Sequence, residues 1–129
     1  MTLVLDTSIL IDIQRERVQT IEKIKELSKS YVDLPCVAFI SYFEFLYGLM
    51  EKKNKNKDVE FINMFNILPT TKTTAHLLSD LKHIYSKKGI ILSLSDLLIS
   101  AQVIQNNMVL VTRDRDFEKI DLLKSIIID

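Results

Sequence analysis

The chain has 129 residues, with 17 Lys plus Arg against 17 Asp plus Glu, 47% hydrophobic and 26% charged residues, and one cysteine. These proportions are those of a soluble globular chain, and at this length a single domain spanning residues 1–129 is expected. Two glycines and two prolines argue against a turn-rich all-β or collagen-like chain; one cysteine excludes an internal disulfide framework and a Cys-rich zinc site; zero net charge argues against a wholesale electrostatic nucleic-acid binder.

In chain order, Leu3–Leu5 is a short apolar strand that meets Asp6 at once. No basic segment followed by an apolar core opens the chain, and no apolar run approaches the roughly 20 residues of a membrane span, so a cytoplasmic protein is expected. Val18, Ile21, Ile24 and Leu27 recur every three residues among charges, the pattern of an amphipathic helix. Cys36–Phe39 reads as a second strand and Ser41–Lys53 as a second helix, followed by the basic connector Lys52–Lys57. Asp58 is placed to cap a helix running to Phe65, and Ile67-Leu68 before Pro69 reads as a third strand. Thr74–Lys88 is helical, with Leu77, Leu78, Leu81, Ile84 and Tyr85 on one side and Gly89 just past its end. Ser95–Gln105 is a helix apolar enough to be deeply packed; Met108–Thr112 and Ser125–Ile128 are strands. Strands alternating with helices and apolar on both faces predict an α/β fold with a central parallel sheet.

In such sheets ligands sit beyond the carboxyl ends of the strands. Asp6 directly follows the first strand, and Asp114 and Asp116 follow Met108–Thr112. Glu44 and Asp96 are expected in the first turns of helices, whose N-termini point at the same edge. Each acid has a structural alternative. Asp6 can cap a Ser8–Asp12 turn, Glu44 can close a capping box with Ser41, and Asp96 can complement a helix dipole. Asp114 and Asp116 can form a turn balanced by Arg113 and Arg115. Together the alternatives weaken, because Asp96 is a lone charge in the apolar run Ile90–Ile99, and clustered carboxylates repel one another unless a cation joins them. Hard oxygen ligands without His or Cys suit Mg²⁺, with Mn²⁺ as a substitute, rather than zinc. Such ions serve phosphodiester hydrolysis by activating water and stabilising the leaving oxygen. Cys36, inside an apolar strand, reads as core rather than as a nucleophile, and His76 and His83 read as surface residues. No Gly-x-Ser-x-Gly elbow or Gly-rich phosphate loop is present.

Four segments carry a resemblance: Val4–Ser8, Ile40–Gly48, Leu94–Ala101 and Leu110–Phe117. In this order and spacing they resemble the PIN-domain nucleases, and in particular the VapC-type toxins of bacterial and archaeal toxin–antitoxin pairs. The likeness runs from residue 3 to at least residue 120. It implies a three-layer α/β/α sandwich around a five-stranded parallel sheet, and a Mg²⁺-dependent endoribonuclease. Asp6, Glu44 and Asp96 match the family's acidic positions; Asp114 and Asp116 both fall where the fourth acid belongs, with Asp114 taken as the metal ligand beside the first three. Thr7 and Thr112 match supporting positions. The first motif reads Asp-Thr-Ser where Asp-Thr-Asn is the commoner form, and a hydroxyl can support the same loop. A homodimer, an antitoxin whose C-terminal segment lies near the site, and a tRNA or rRNA substrate are implied as partners. Arg113 and Arg115 are candidate contacts for RNA phosphates, with charge balance of the neighbouring acids as the alternative. Other readings are a catalytically inactive binding module or another metal-dependent phosphoester hydrolase.

Overall fold

The computed structural model describes all of residues 1–129. Its strands are β1 (Leu3–Leu5), β2 (Cys36–Ala38), β3 (Asn66–Leu68), β4 (Val109–Thr112) and β5 (Ser125–Ile127). All neighbours pair in parallel in the order β3-β2-β1-β4-β5. The helices are α1 (Thr7–Gln14), α2 (Val18–Ser28), α3 (Phe39–Gly48), α4 (Asn56–Asn63), α5 (Lys72–Lys87) and α6 (Leu94–Gln105), with a short 3-10 turn over Arg115–Lys119.

Strand alternation builds the three layers. Leu3, Leu5, Val37, Val109 and Val111 point to one face and pack with Ile9 and Leu10 of α1 and Phe45 of α3. Val4, Cys36, Ala38 and Leu110 point to the other, against Leu81 and Tyr85 of α5 and Leu97, Ala101 and Val103 of α6. Both faces are covered, which is why these strands read as continuous apolar runs. At roughly 25 cal/mol per Å² of apolar area removed from water, this two-sided burial is the main favourable term of the fold.

The α/β/α sandwich agrees with the sequence, with differences at helix starts. Residues 7–14 form a full helix where only a Ser8–Asp12 turn was expected. Helix α3 starts at Phe39, not Ser41, because β2 pairs with β3 only as far as Ala38↔Leu68 and the chain turns directly into helix. It ends at Gly48, not Lys53, where Leu49 turns into the core. Ser41 is therefore inside the helix, its hydroxyl buried without a partner, and the capping box with Glu44 does not form. Glu44 stands in the second turn, not the first. Helix α4 begins at Asn56, so Asp58 lies in its first turn rather than capping it. Helix α5 starts at Lys72, capped reciprocally by Thr71 and Thr74, and Gly89 follows its end with φ +72°.

Strand order changes direction beside β1. The chain moves from β1 outward to β2 and β3, then returns to place β4 on the other side of β1. The carboxyl ends of β1 and β4 thus flank the switch point, where helices diverge and leave a crevice.

Candidate active site

Leu5 pairs with Val111 in the β1–β4 ladder, which sets Asp6 beside Thr112 at the shared carboxyl edge. Asp6 is the N-cap residue of α1, yet its side chain makes no capping hydrogen bond. Its carboxylate instead accepts from the buried Thr112 hydroxyl at 2.6 Å. The same hydroxyl accepts the Asp114 backbone N–H at 3.0 Å, so Thr112 ties the first acid to the loop that carries the later ones. The Asp114 carboxylate in turn accepts the Asp116 N–H at 2.9 Å and caps the 3-10 turn.

Asp96 approaches from α6. Ser93 caps this helix through the Asp96 N–H at 3.1 Å, and the Asp96 carboxylate at the helix start faces the crevice acids. One carboxylate oxygen each from Asp96, Asp114 and Asp116 lies within 4.8 Å of the others. Glu44, exposed on α3, accepts from the Thr7 hydroxyl at 3.0 Å. Five acids from four separate segments therefore gather at one edge.

The electrostatics follow from burial and crowding. Burial is the main reason the Asp6 carboxyl is pushed above the usual carboxylate range, with Glu44 and Asp114 adding to it and the Thr112 hydrogen bond opposing. Asp96 is raised for the same reason first, opposed by Ser93, with Asp114, Asp6 and Asp116 adding like charge. Asp6, Glu44, Asp96 and Asp114 have no Lys or Arg partner; the one ion pair in the group joins Lys119 to Asp116 at 3.2 Å. An uncompensated set of hard oxygens suits a divalent cation.

The two arginine side chains turn to other carboxylates. Arg113 donates to both oxygens of Asp12 at 3.1 and 3.3 Å, and Arg115 pairs with Glu118 and Asp129. Neither balances Asp114 or Asp116. A groove of about 320 Å³ between α1 and α3 runs past Glu44 and is lined by Arg15 and Lys52. Lys52 pairs with Asp58 at 2.7 Å, whereas Arg15 has no carboxylate partner, a cation that the sequence reading did not single out. Cys36 is buried in β2, and His76 and His83 are exposed on α5, apart from this edge.

Solved structures with this architecture include the VapBC2 complex of Rickettsia felis bound to a promoter DNA fragment, at TM-score 0.84 and 23% identity over 100% of both chains. VapBC-1 of nontypeable Haemophilus influenzae matches at TM-score 0.83 and 22% identity over 98% of each chain. DNA-bound VapBC of Salmonella typhimurium matches at TM-score 0.83 and 20% identity, over 100% of this chain and 99% of that one. At such identities the likeness is one of fold. No curated protein sequence matches the chain. The family model of the PIN domain matches residues 3–123, a span that includes Asp6, Glu44, Asp96, Asp114 and Asp116, and the chain belongs to the PIN-domain family.

Proposed function

We propose that the chain is a metal-dependent endoribonuclease acting as the toxin of a toxin–antitoxin pair in the cytoplasm. The observation that carries this reading is the convergence of Asp6, Glu44, Asp96, Asp114 and Asp116 with a single lysine as internal counter-charge. Asp6, Asp96, Asp114 and Glu44 would hold Mg²⁺, with Mn²⁺ as a substitute, and Asp116 is the alternative fourth ligand. A bound divalent ion supplies positive charge for a phosphodiester oxygen and lowers the pKa of a coordinated water. Thr112 holds Asp6 and the Asp114 loop in register, and Thr7 orients Glu44. With Arg113 and Arg115 spent in ion pairs, Arg15 is the cation best placed to hold an RNA phosphate next to the crevice.

The surface supports protein partners. Phe39, Phe43 and Tyr47 recur along α3 at one-turn intervals and Met50 follows just past its end; all four are 47 to 70% exposed, with Phe43 and Tyr47 stacked at 5.9 Å. A contiguous solvent-facing apolar stripe supports a protein–protein contact here. A homodimer and a bound antitoxin are the occupants in this reading, and the structures similar in fold are themselves named as VapBC complexes.

The test is cleavage of total RNA by the purified protein in Mg²⁺ or Mn²⁺. Activity lost in EDTA, restored by the ion and abolished in Asp96→Asn is the expected result. Full activity of Asp96→Asn, in which a neutral amide replaces the charged ligand, would remove Asp96 from the metal site and with it most of the case.

A further inference from the structure

Asp12 lies outside the carboxylate cluster, six residues beyond Asp6, and is as buried, at 7% exposure. Its Oδ2 accepts from the Thr20 hydroxyl at 2.6 Å and from Arg17 at 3.2 Å, while Arg113 reaches both of its oxygens. The three donors come from the α1–α2 corner, from α2 and from the loop after β4. Arg113 is held at a second point, because its backbone N–H donates to the Ser8 hydroxyl at 3.2 Å. Ser8 and Asp12 are four residues apart and share one face of α1. Both ends of Arg113 are thus clasped to the helix whose N-cap is Asp6, and Arg113 sits between Thr112 and Asp114.

We propose that Asp12 is a positioning residue that acts through Arg113 to fix the Asp114–Asp116 loop against Asp6. The proposal rests on the nuclease reading and names how its metal ligands are aimed. Thr112 fixes where the loop begins; the Arg113 clasp fixes the direction in which it leaves. Carboxylates that repel one another need such restraints, and Thr112, which bridges Asp6 to the Asp114 backbone, holds the loop at one point only. Mg²⁺ demands near-ideal octahedral geometry, and a ligand displaced by about 1 Å costs about 100-fold in rate.

The experiment compares Asp12→Asn, Arg113→Ala, their double variant and Arg17→Ala, using Mn²⁺ affinity by calorimetry and kcat and KM on RNA, at a temperature where circular dichroism shows each protein folded. Asp12→Asn and Arg113→Ala should each weaken Mn²⁺ binding and lower kcat by about tenfold or more, with KM little changed. The double variant should lose no more than Arg113→Ala alone. Arg17→Ala removes a guanidinium from the same carboxylate without touching the loop; it should lower Tm and leave Mn²⁺ affinity and kcat near wild type. Equal losses in Arg17→Ala and Arg113→Ala, additive losses in the double variant, or wild-type Mn²⁺ affinity in Asp12→Asn would each overturn the proposal. If Asp12→Asn does not fold, Arg113→Ala against Arg17→Ala decides it. A wild-type protein that binds Mn²⁺ without cutting RNA sinks the nuclease reading while the Mn²⁺ affinities still decide the role of Asp12; a wild type that does not bind Mn²⁺ overturns both.

Discussion

Asp6 and Asp12 are both 7% exposed and lie at the two ends of one short helix, yet their surroundings are opposite. Asp12 is saturated: a hydroxyl and two guanidinium groups meet its two oxygens. Asp6 has one hydroxyl within reach, and its charged neighbours are acids. A buried carboxylate with its counter-charges in place is a fastener. A buried carboxylate denied them is the one on which the proposed metal site rests. Burial therefore does not distinguish the two acids; the missing counter-charge does.

The largest expected effect comes from neutralising each acid in turn. Asp6→Asn should cut RNA cleavage by at least about a hundredfold, equivalent to about 2.7 kcal/mol in the barrier, while the metal-free protein keeps or gains stability because one repelling charge is gone. Asp12→Leu should do the reverse to folding, lowering stability in urea by about 1–3 kcal/mol, since it strands two guanidiniums whose side chains are 30% and 39% exposed. Matching stability losses in the two variants would erase the distinction between fastener and site.

A smaller effect sharpens the same contrast through pH. Folded Asp6 and Asp96 bind their protons more tightly than in the unfolded chain. Ionising them therefore costs stability. That cost is complete above their raised folded pKa values, shrinks as pH falls through them, and is gone below the ordinary unfolded value of about 3.9. In EDTA, the Tm advantage of Asp96→Asn over wild type should be largest near neutral pH and should fade as the solution is acidified. Saturating Mg²⁺ should reverse its sign at neutral pH, because the ion stabilises only the protein that binds it. An advantage independent of pH would show that Asp96 carries no uncompensated charge.

The smallest effect concerns Arg15. If this unpaired cation contacts phosphate, Arg15→Ala should weaken RNA binding and reduce the salt slope by about one unit or less, with Arg115→Ala leaving the slope unchanged. The opposite pattern would return the phosphate contact to the loop after β4.

The α/β class and its central parallel sheet were legible from periodicity, because apolar strands alternating with helices bury both faces of a parallel sheet in few ways, while the three-layer, five-stranded arrangement came from the resemblance. The acids at strand ends were legible for the same reason, since a strand's carboxyl end is fixed once the strand is read. Helix starts were less so. Ser41–Glu44 has the letters of a capping box, and the structure overrides it by starting α3 at Phe39, where β2 stops pairing. Residues 7–14 escaped recognition as a helix because Ile9, Leu10, Ile11 and Ile13 favour strand as readily as helix in so short a run. The signal that singled out Asp96, a lone charge among apolar residues, applies equally to Asp12 within Ile9–Ile13, and Asp12 is the neutralised one.

The sequence by itself determined the sheet, its covered faces, and which acids leave the ends of β1 and β4, because side-chain alternation and strand termination are local properties. Only the tertiary structure decided how charge is shared. Arg113 lies next to Asp114 in the chain but pairs with Asp12, about one hundred residues earlier in sequence; Arg115 turns to Glu118 and Asp129; Thr112 meets Asp6 across the sheet. Which carboxylate is satisfied and which is left open depends on distances of a few ångströms between segments remote in sequence, and Coulomb and hydrogen-bond energies depend on those distances rather than on spacing along the chain.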